Sequence, residues 1–163
     1  MMPLDLLALS KRVGAALTAS GRTICAAESC TGGLLLSALT DMAGSSAYVL
    51  GGFVTYSNAA KMQLLGVREA TLLEHGAVSR HIAAEMARGA QEIFVSDFAL
   101  SETGIAGPGG ATADKPVGLT YIGLAGRGGL LKVERRIWSG DRIENKQLSV
   151  AAALNLLLRE LAG

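Results

Sequence analysis

The stretch "RTICAAESCTGGLLLSALTDMAG", residues 22–44, decides the fold expected of this chain. Residues 22–28 predict a short buried strand, and residues 30–44 predict a helix that begins near Thr31. A glutamate, a serine, a cysteine and a threonine therefore lie where the strand passes into the helix. Reactive side chains at such a junction make it the first place to look for chemistry.

The patterns on either side extend this unit into an α/β sandwich on a mixed sheet, in one domain spanning residues 1–163. Apolar residues at helical spacing from Leu4 to Leu17 predict an opening helix, with Gly21 as its stop. The Asp141–Glu144 pair predicts the start of the last helix. The further predicted elements are a strand at 46–57 with a bulge at its glycine pair, a helix at 59–66 capped by Asn58, a helix at 68–76, a helix at 80–94 capped by Ser79, a strand at 96–104, an antiparallel hairpin at 117–138 and a helix at 139–161.

Composition narrows the classes of function. The 163 residues carry a net charge of +1, which argues against the broad basic face of a nucleic-acid binder. No apolar run reaches the roughly 18 residues that a membrane helix needs. Cys25 and Cys30 have neither zinc-type spacing nor the pattern of a secreted disulfide framework, and the histidines form no metal-ligand cluster. We expect a cytoplasmic protein with reduced thiols.

Ser29 is the candidate nucleophile at the strand–helix junction. The first N–H groups of a helix lack partners within it, and the helix dipole favours an anion there. That anion could be a ligand phosphate or the oxyanion formed when a hydroxyl attacks a carbonyl. Gly32 and Gly33 would let a ligand approach the backbone. An ordinary helix cap explains the same residues, and Cys30 is a rival nucleophile.

A serine nucleophile needs a base, and Lys61 is the remaining candidate. His75 and His81 resemble solvated residues at helix ends, which leaves little room for a Ser–His–Asp triad. A free lysine has a pKa of about 10.4, so burial or a neighbouring positive charge would have to lower it. An exposed helix lysine is the alternative.

The loop "SETGIAGPGG", residues 101–110, is a second glycine-rich site. Ser101, Thr103 and nearby backbone amides could hold a phosphate. The loop matches neither the dinucleotide-binding nor the P-loop pattern, and a purely structural loop is the alternative. Arg142 is a candidate to hold an anion, because a cation is unfavourable at the start of the last helix without one. An ordinary surface arginine is the alternative.

Several stretches together resemble the CinA C-terminal domain family over about residues 7–158. They are "AESCTGGLL", "GGFVTYSNAAKMQLLGV", "HGAVS", "TGIAGPGG" with the following "KPVGLTYIGLA", and "SGDR". The characterised activity of that family is nicotinamide-nucleotide amidohydrolase. The resemblance thus implies an amidase for a small nucleotide, without redox cofactor or metal. We expect it in the cytoplasm, as a monomer or a homo-oligomer. A catalytically silent nucleotide-binding module in a larger assembly is the alternative.

The resemblance also assigns roles to individual residues. It implies Ser29 as nucleophile and Lys61 as base, with Tyr56 positioning groups or relaying protons. Substrate contacts are implied for Thr31, Gly32 and Gly33, whose amides would hold the oxyanion, and for Thr103, Gly104 and Arg142. Glu102 departs from the pattern, because an apolar residue is expected there. Its side chain would disturb phosphate binding only if it pointed into the site.

Overall fold

A computed structural model describes residues 5–163, which build one five-stranded sheet between two layers of helices. Leu4 lies outside the described residues. The elements, in chain order, are α1 (Leu6–Ser20), β1 (Ile24–Glu28), α2 (Leu34–Thr40), β2 (Val49–Val54), α3 (Asn58–Leu65), α4 (Glu69–His75), α5 (Arg80–Phe94), β3 (Phe98–Gly104), β4 (Leu119–Gly126), β5 (Leu131–Ile137) and α6 (Arg142–Ala162).

The sheet is mixed, as predicted. Its strand order is β2-β1-β3-β4-β5. Strand β1 is parallel to both β2 and β3, whereas β4 is antiparallel to both β3 and β5. The predicted C-terminal hairpin is β4 and β5. None of the helices in the described part of the chain combines the length and apolar character needed to cross a bilayer.

The two helix layers explain why β1 is apolar from Ile24 to Ala27 and buried as far as Glu28. One layer, with α1, α2 and α6, packs on the face that includes Ala26; the other, with α5, packs on the face that includes Cys25 and Ala27. All five residues of β1 are buried, so neither face of the strand meets water. Continuous apolar runs are typical of such central parallel strands.

Most helix ends follow the predicted signals. Gly21 ends α1 in the left-handed conformation, Ser79 caps α5 through its hydroxyl, and Asp141 with Glu144 forms a capping box on α6. The cap of α3 is Ser57 rather than Asn58, because the Ser57 hydroxyl accepts from the Ala60 N–H. The predicted bulge is also present, since the β1–β2 register shifts between Ile24 and Cys25, opposite the start of the glycine pair.

Helix α2 begins at Leu34, three residues later than predicted. Gly32 and Gly33 have φ values of 64° and 102°, in the left-handed region that favours glycine. A right-handed helix cannot pass through two such residues. Residues 29–33 therefore form a separate turn between β1 and α2, which we call the junction turn.

Candidate active site

Ser29 and Lys61 lie together at the carboxyl ends of neighbouring parallel strands. Ser29 follows β1 directly, and Lys61 lies in the first turn of α3, just after β2. Lys61 Nζ donates to Ser29 Oγ over 3.0 Å and to the Thr55 carbonyl over 2.8 Å. Lys61 is 1% exposed and Ser29 8% exposed, so the pair is almost sealed from bulk water.

Burial prepares Lys61 for proton transfer. Desolvation lowers the pKa of Lys61 below its ordinary value, while the nearby Glu102 and Cys30 act in the opposite direction. The Nζ–Oγ distance lies within the reach required of a general base. The alternative of an exposed helix lysine is therefore wrong.

Cys30 has the opposite surroundings from a reactive thiol. Its Sγ donates to Glu102 Oε1 over 2.8 Å and points beneath the junction turn. Burial first, and the neighbouring Glu102 second, raise the pKa of the Cys30 thiol well above its ordinary value. Since the thiolate is the nucleophilic form, Cys30 is a poor rival to Ser29.

The start of α2 already holds an anion, which is the carboxylate of Glu28. Glu28 accepts from the N–H groups of Gly33, Leu35 and Leu36 over 2.8–3.0 Å and from the Thr31 hydroxyl over 2.6 Å. The chain itself thus provides the negative charge that favours a helix N-terminus. Glu28 therefore occupies the position at the helix start where a ligand phosphate or an oxyanion was expected.

Glu102 points inward, beneath the junction turn, and is fully buried. Its Oε2 accepts from the Ser29 N–H over 3.3 Å and from the Thr31 N–H over 3.0 Å. Gly104 follows closely on β3, where a β-carbon would lie 3.1 Å from Glu102 Oε1. The carboxyl group therefore contacts the backbone of the junction turn on both sides of Cys30.

These contacts change the expected oxyanion donors. The N–H of Thr31 donates to Glu102, that of Gly32 to the Ser29 carbonyl, and that of Gly33 to Glu28. Within residues 29–33 the N–H of Cys30 alone has no acceptor among the described residues. The donor for an oxyanion is thus expected one residue after the nucleophile, not at 31–33.

The hydroxyl groups of the glycine-rich loop donate to backbone carbonyls within the protein. Ser101 Oγ donates to the Ala83 carbonyl over 2.6 Å, and Thr103 Oγ1 donates to the Ala77 carbonyl over 2.8 Å. Thr103 is only 1% exposed. The structure therefore differs from the expected phosphate cradle, and a substrate contact by the Thr103 hydroxyl would have to replace its bond to Ala77.

Arg142 connects the glycine-rich loop to Tyr56, which follows β2. One guanidinium nitrogen donates to the Gly107 carbonyl over 2.6 Å, and another donates to the Tyr56 hydroxyl over 3.0 Å. Tyr56 is 60% exposed and makes no hydrogen bond to Ser29 or Lys61 in the described structure. Its position suits contact with a substrate better than a proton relay.

Lys146 is a further cation that sequence reasoning missed. A β-carbon on Gly32 would lie 3.7 Å from Lys146 Nζ, and Lys146 and Arg142 both act on the pKa of Cys30. Lys146 lies four residues after Arg142, so the two occupy one face of α6. The four-residue spacing between Arg142 and Lys146 was the sequence signal that could have identified Lys146.

The histidines take no part in this arrangement. His75 and His81 stack on each other with ring centroids 3.7 Å apart. Within residues 5–163 no three His, Cys, Asp or Glu side chains gather in a way that could hold a metal ion.

Known proteins resemble this chain over nearly its whole length. The sequence model of the CinA C-terminal domain matches residues 6–161. Nicotinamide-nucleotide amidohydrolase PncC of Escherichia coli K12 is 47% identical over 96% of this chain and 94% of its own length; PncC of Enterobacter agglomerans is 49% identical over 93% of each. The crystal structure of competence/damage inducible protein CihA from Agrobacterium tumefaciens superimposes with a TM-score of 0.93 at 44% identity, covering 100% of this chain and 99% of that one.

Proposed function

Because the chain belongs to the CinA C-terminal domain family, we propose that it hydrolyses the carboxamide of nicotinamide mononucleotide, giving nicotinate mononucleotide and ammonia. The relatives named PncC support this reaction, since this chain covers more than nine-tenths of their length. The observation that carries the proposal is the 3.0 Å contact between Ser29 Oγ and the buried Lys61 Nζ.

The first step uses Lys61 as a neutral amine. One N–H remains on the Thr55 carbonyl, and the nitrogen lone pair accepts the proton of Ser29. The Ser29 oxygen then attacks the carboxamide carbon and forms a tetrahedral intermediate. Burial disfavours the ammonium form of Lys61, which makes this amine available below the pH at which a free lysine loses its proton.

The oxyanion and the leaving group interact with two different groups of the protein, the Cys30 N–H and Lys61. The Cys30 N–H, which has no acceptor among the described residues, is the proposed donor to the oxyanion. Lys61 returns the proton to the departing nitrogen, and ammonia leaves an acyl group on Ser29. A water molecule, deprotonated by Lys61 in turn, hydrolyses the ester and frees the carboxylate.

The nucleotide part is held by the cations of α6. Arg142 lies between the Gly107 carbonyl and the Tyr56 hydroxyl, and Lys146 lies over Gly32. We infer that the phosphate binds to Arg142 and Lys146, since both charges lie close enough to the junction turn to act on Cys30. The guanidinium supplies a planar set of donors that suits phosphate.

Ammonia release from nicotinamide mononucleotide tests the proposal, with Ser29→Ala as the matched variant. Stoichiometric ammonia and nicotinate mononucleotide from the wild type, and neither from the folded variant, are the expected result. Binding of the nucleotide by calorimetry without ammonia release would instead identify a silent binding module.

A further inference from the structure

The carboxyl groups of Glu28 and Glu102 share one hydroxyl group. The Thr31 hydroxyl oxygen lies 2.6 Å from Glu28 Oε2 and 3.0 Å from Glu102 Oε2. A hydroxyl has a single proton and can donate to one of these oxygens only. Two buried oxygen atoms at hydrogen-bond distance with no proton between them repel each other. A second proton must therefore lie in this pair of contacts.

The distances indicate which group carries the second proton. Contacts of 2.5–2.7 Å are typical of a hydroxyl that donates to an ionised carboxylate. The Thr31–Glu28 contact has that length, and Glu28 also accepts three N–H groups at the start of α2. The longer Thr31–Glu102 contact then needs its proton from Glu102.

We propose that Glu102 is a protonated carboxylic acid in the resting protein and acts as a positioning residue for Ser29. Its Oε2–H donates to the Thr31 hydroxyl, which donates to Glu28. The lone pairs of the same Oε2 atom accept from the Ser29 and Thr31 N–H groups, and Oε1 accepts from the Cys30 thiol. This chain of hydrogen bonds holds the junction turn against Lys61.

Protonation of Glu102 has a consequence for Lys61. An ionised, buried Glu102 would favour the ammonium form of Lys61, because an opposite charge stabilises a cation. A neutral Glu102 leaves Lys61 free to be an amine. Burial raises the pKa of Glu102, which agrees with this assignment.

The other ionisable groups near Glu102 come from four parts of the fold. Glu28 and Cys30 belong to β1 and the junction turn, and Lys61 belongs to α3. From α6, Arg142 and Lys146 act on Cys30. No carboxylate other than Glu28 shares a hydrogen-bond partner with Glu102 among the described residues.

Infrared spectroscopy of the resting protein tests the charge state without any substrate. At neutral pH we expect the carbonyl stretch of a buried carboxylic acid, which shifts in D₂O and disappears in Glu102→Gln. Glu85→Gln is the matched control: hydrogen bonds and Arg68 lower the pKa of Glu85, so its removal should leave the band in place. Absence of the band from the wild type would overturn the proposal, whatever the protein's activity.

Two further variants keep the test decisive. Should Glu102→Gln fail to fold, Thr31→Val removes the acceptor of the acid proton, and the band should move to higher frequency; an unmoved band would overturn the proposed donor chain. The kinetic test rests on the proposed function. If Glu102 is neutral, Glu102→Gln should move the apparent pKa of kcat by less than about half a unit, since no charge is lost. A fall of about one unit or more would indicate an ionised Glu102 and refute the proposal.

Discussion

Lys61→Arg separates proton transfer from the mere presence of a positive charge. The guanidinium keeps the charge but does not deprotonate in proteins, so it cannot accept the Ser29 proton. General-base catalysis is typically worth about 10²–10⁴-fold, or about 3–5 kcal/mol of transition-state stabilisation. We therefore expect kcat for ammonia release to fall at least about 100-fold, with a much smaller change in KM.

The pH dependence gives the second half of this prediction. In the wild type, kcat should rise with pH as Lys61 loses its proton, and the rise should be centred below the pKa of about 10.4 of a free lysine. Desolvation gives that direction, because it penalises the ammonium form. In Lys61→Arg this limb should vanish.

Lys61 is 1% exposed, so a larger side chain could disturb the packing around it. Two control variants separate that effect from the loss of the base. Lys61→Met replaces the amine with an apolar side chain of similar length. It should lose as much activity as Lys61→Arg, without a lower Tm. Lys132→Arg makes the same change on the surface, where Lys132 pairs with Glu160, and should leave kcat unchanged. Retention of more than about a tenth of wild-type kcat by a folded Lys61→Arg protein would refute the Ser–Lys mechanism.

Four further substitutions test other parts of the structure. Ser29→Ala should abolish ammonia release, whereas Cys30→Ala should retain most of it; the reverse result in steady-state assays would identify the thiol as nucleophile. Arg142→Ala should raise KM for nicotinamide mononucleotide more than it lowers kcat, and a fall in kcat alone would contradict a phosphate contact. Gly89→Ala should lower Tm, because a β-carbon would lie 1.9 Å from the Leu65 carbonyl oxygen, and overpacking of this kind typically costs about 1–3 kcal/mol. An unchanged melting curve would show that α3 moves aside freely.

Local signals in the sequence predicted the elements well. The Ser79 cap, the Asp141–Glu144 capping box and the glycine at position 21 all act within one helical turn, so their effect depends little on the rest of the fold. The late start of α2 was missed, because Gly32 and Gly33 are compatible with a helix in sequence and only their backbone conformation excludes it.

The site depended on contacts between distant parts of the chain. Ser29 and Lys61 are 32 residues apart, and the resemblance rather than any spacing pointed to their pairing. The roles of Glu28 and Glu102 were not foreseen, since glutamate is rarely buried without a partner and a strand glutamate usually indicates a solvated position. Their donors come from the junction turn and the first turn of α2, and no local pattern predicted the conformation of the junction turn.

The internal anion at the start of α2 separates the ordering of the junction turn from the recognition of the nucleotide. With Glu28 on the helix N-terminus, the junction turn is ordered as part of folding, and no substrate phosphate is needed to complete it. We propose that recognition of the nucleotide then falls to Arg142 and Lys146 on α6, outside the buried core of the reactive turn. Substitutions on that helix can therefore change which nucleotide is accepted while the reactive pair stays intact, so substrate preference in such a protein can evolve independently of its chemistry.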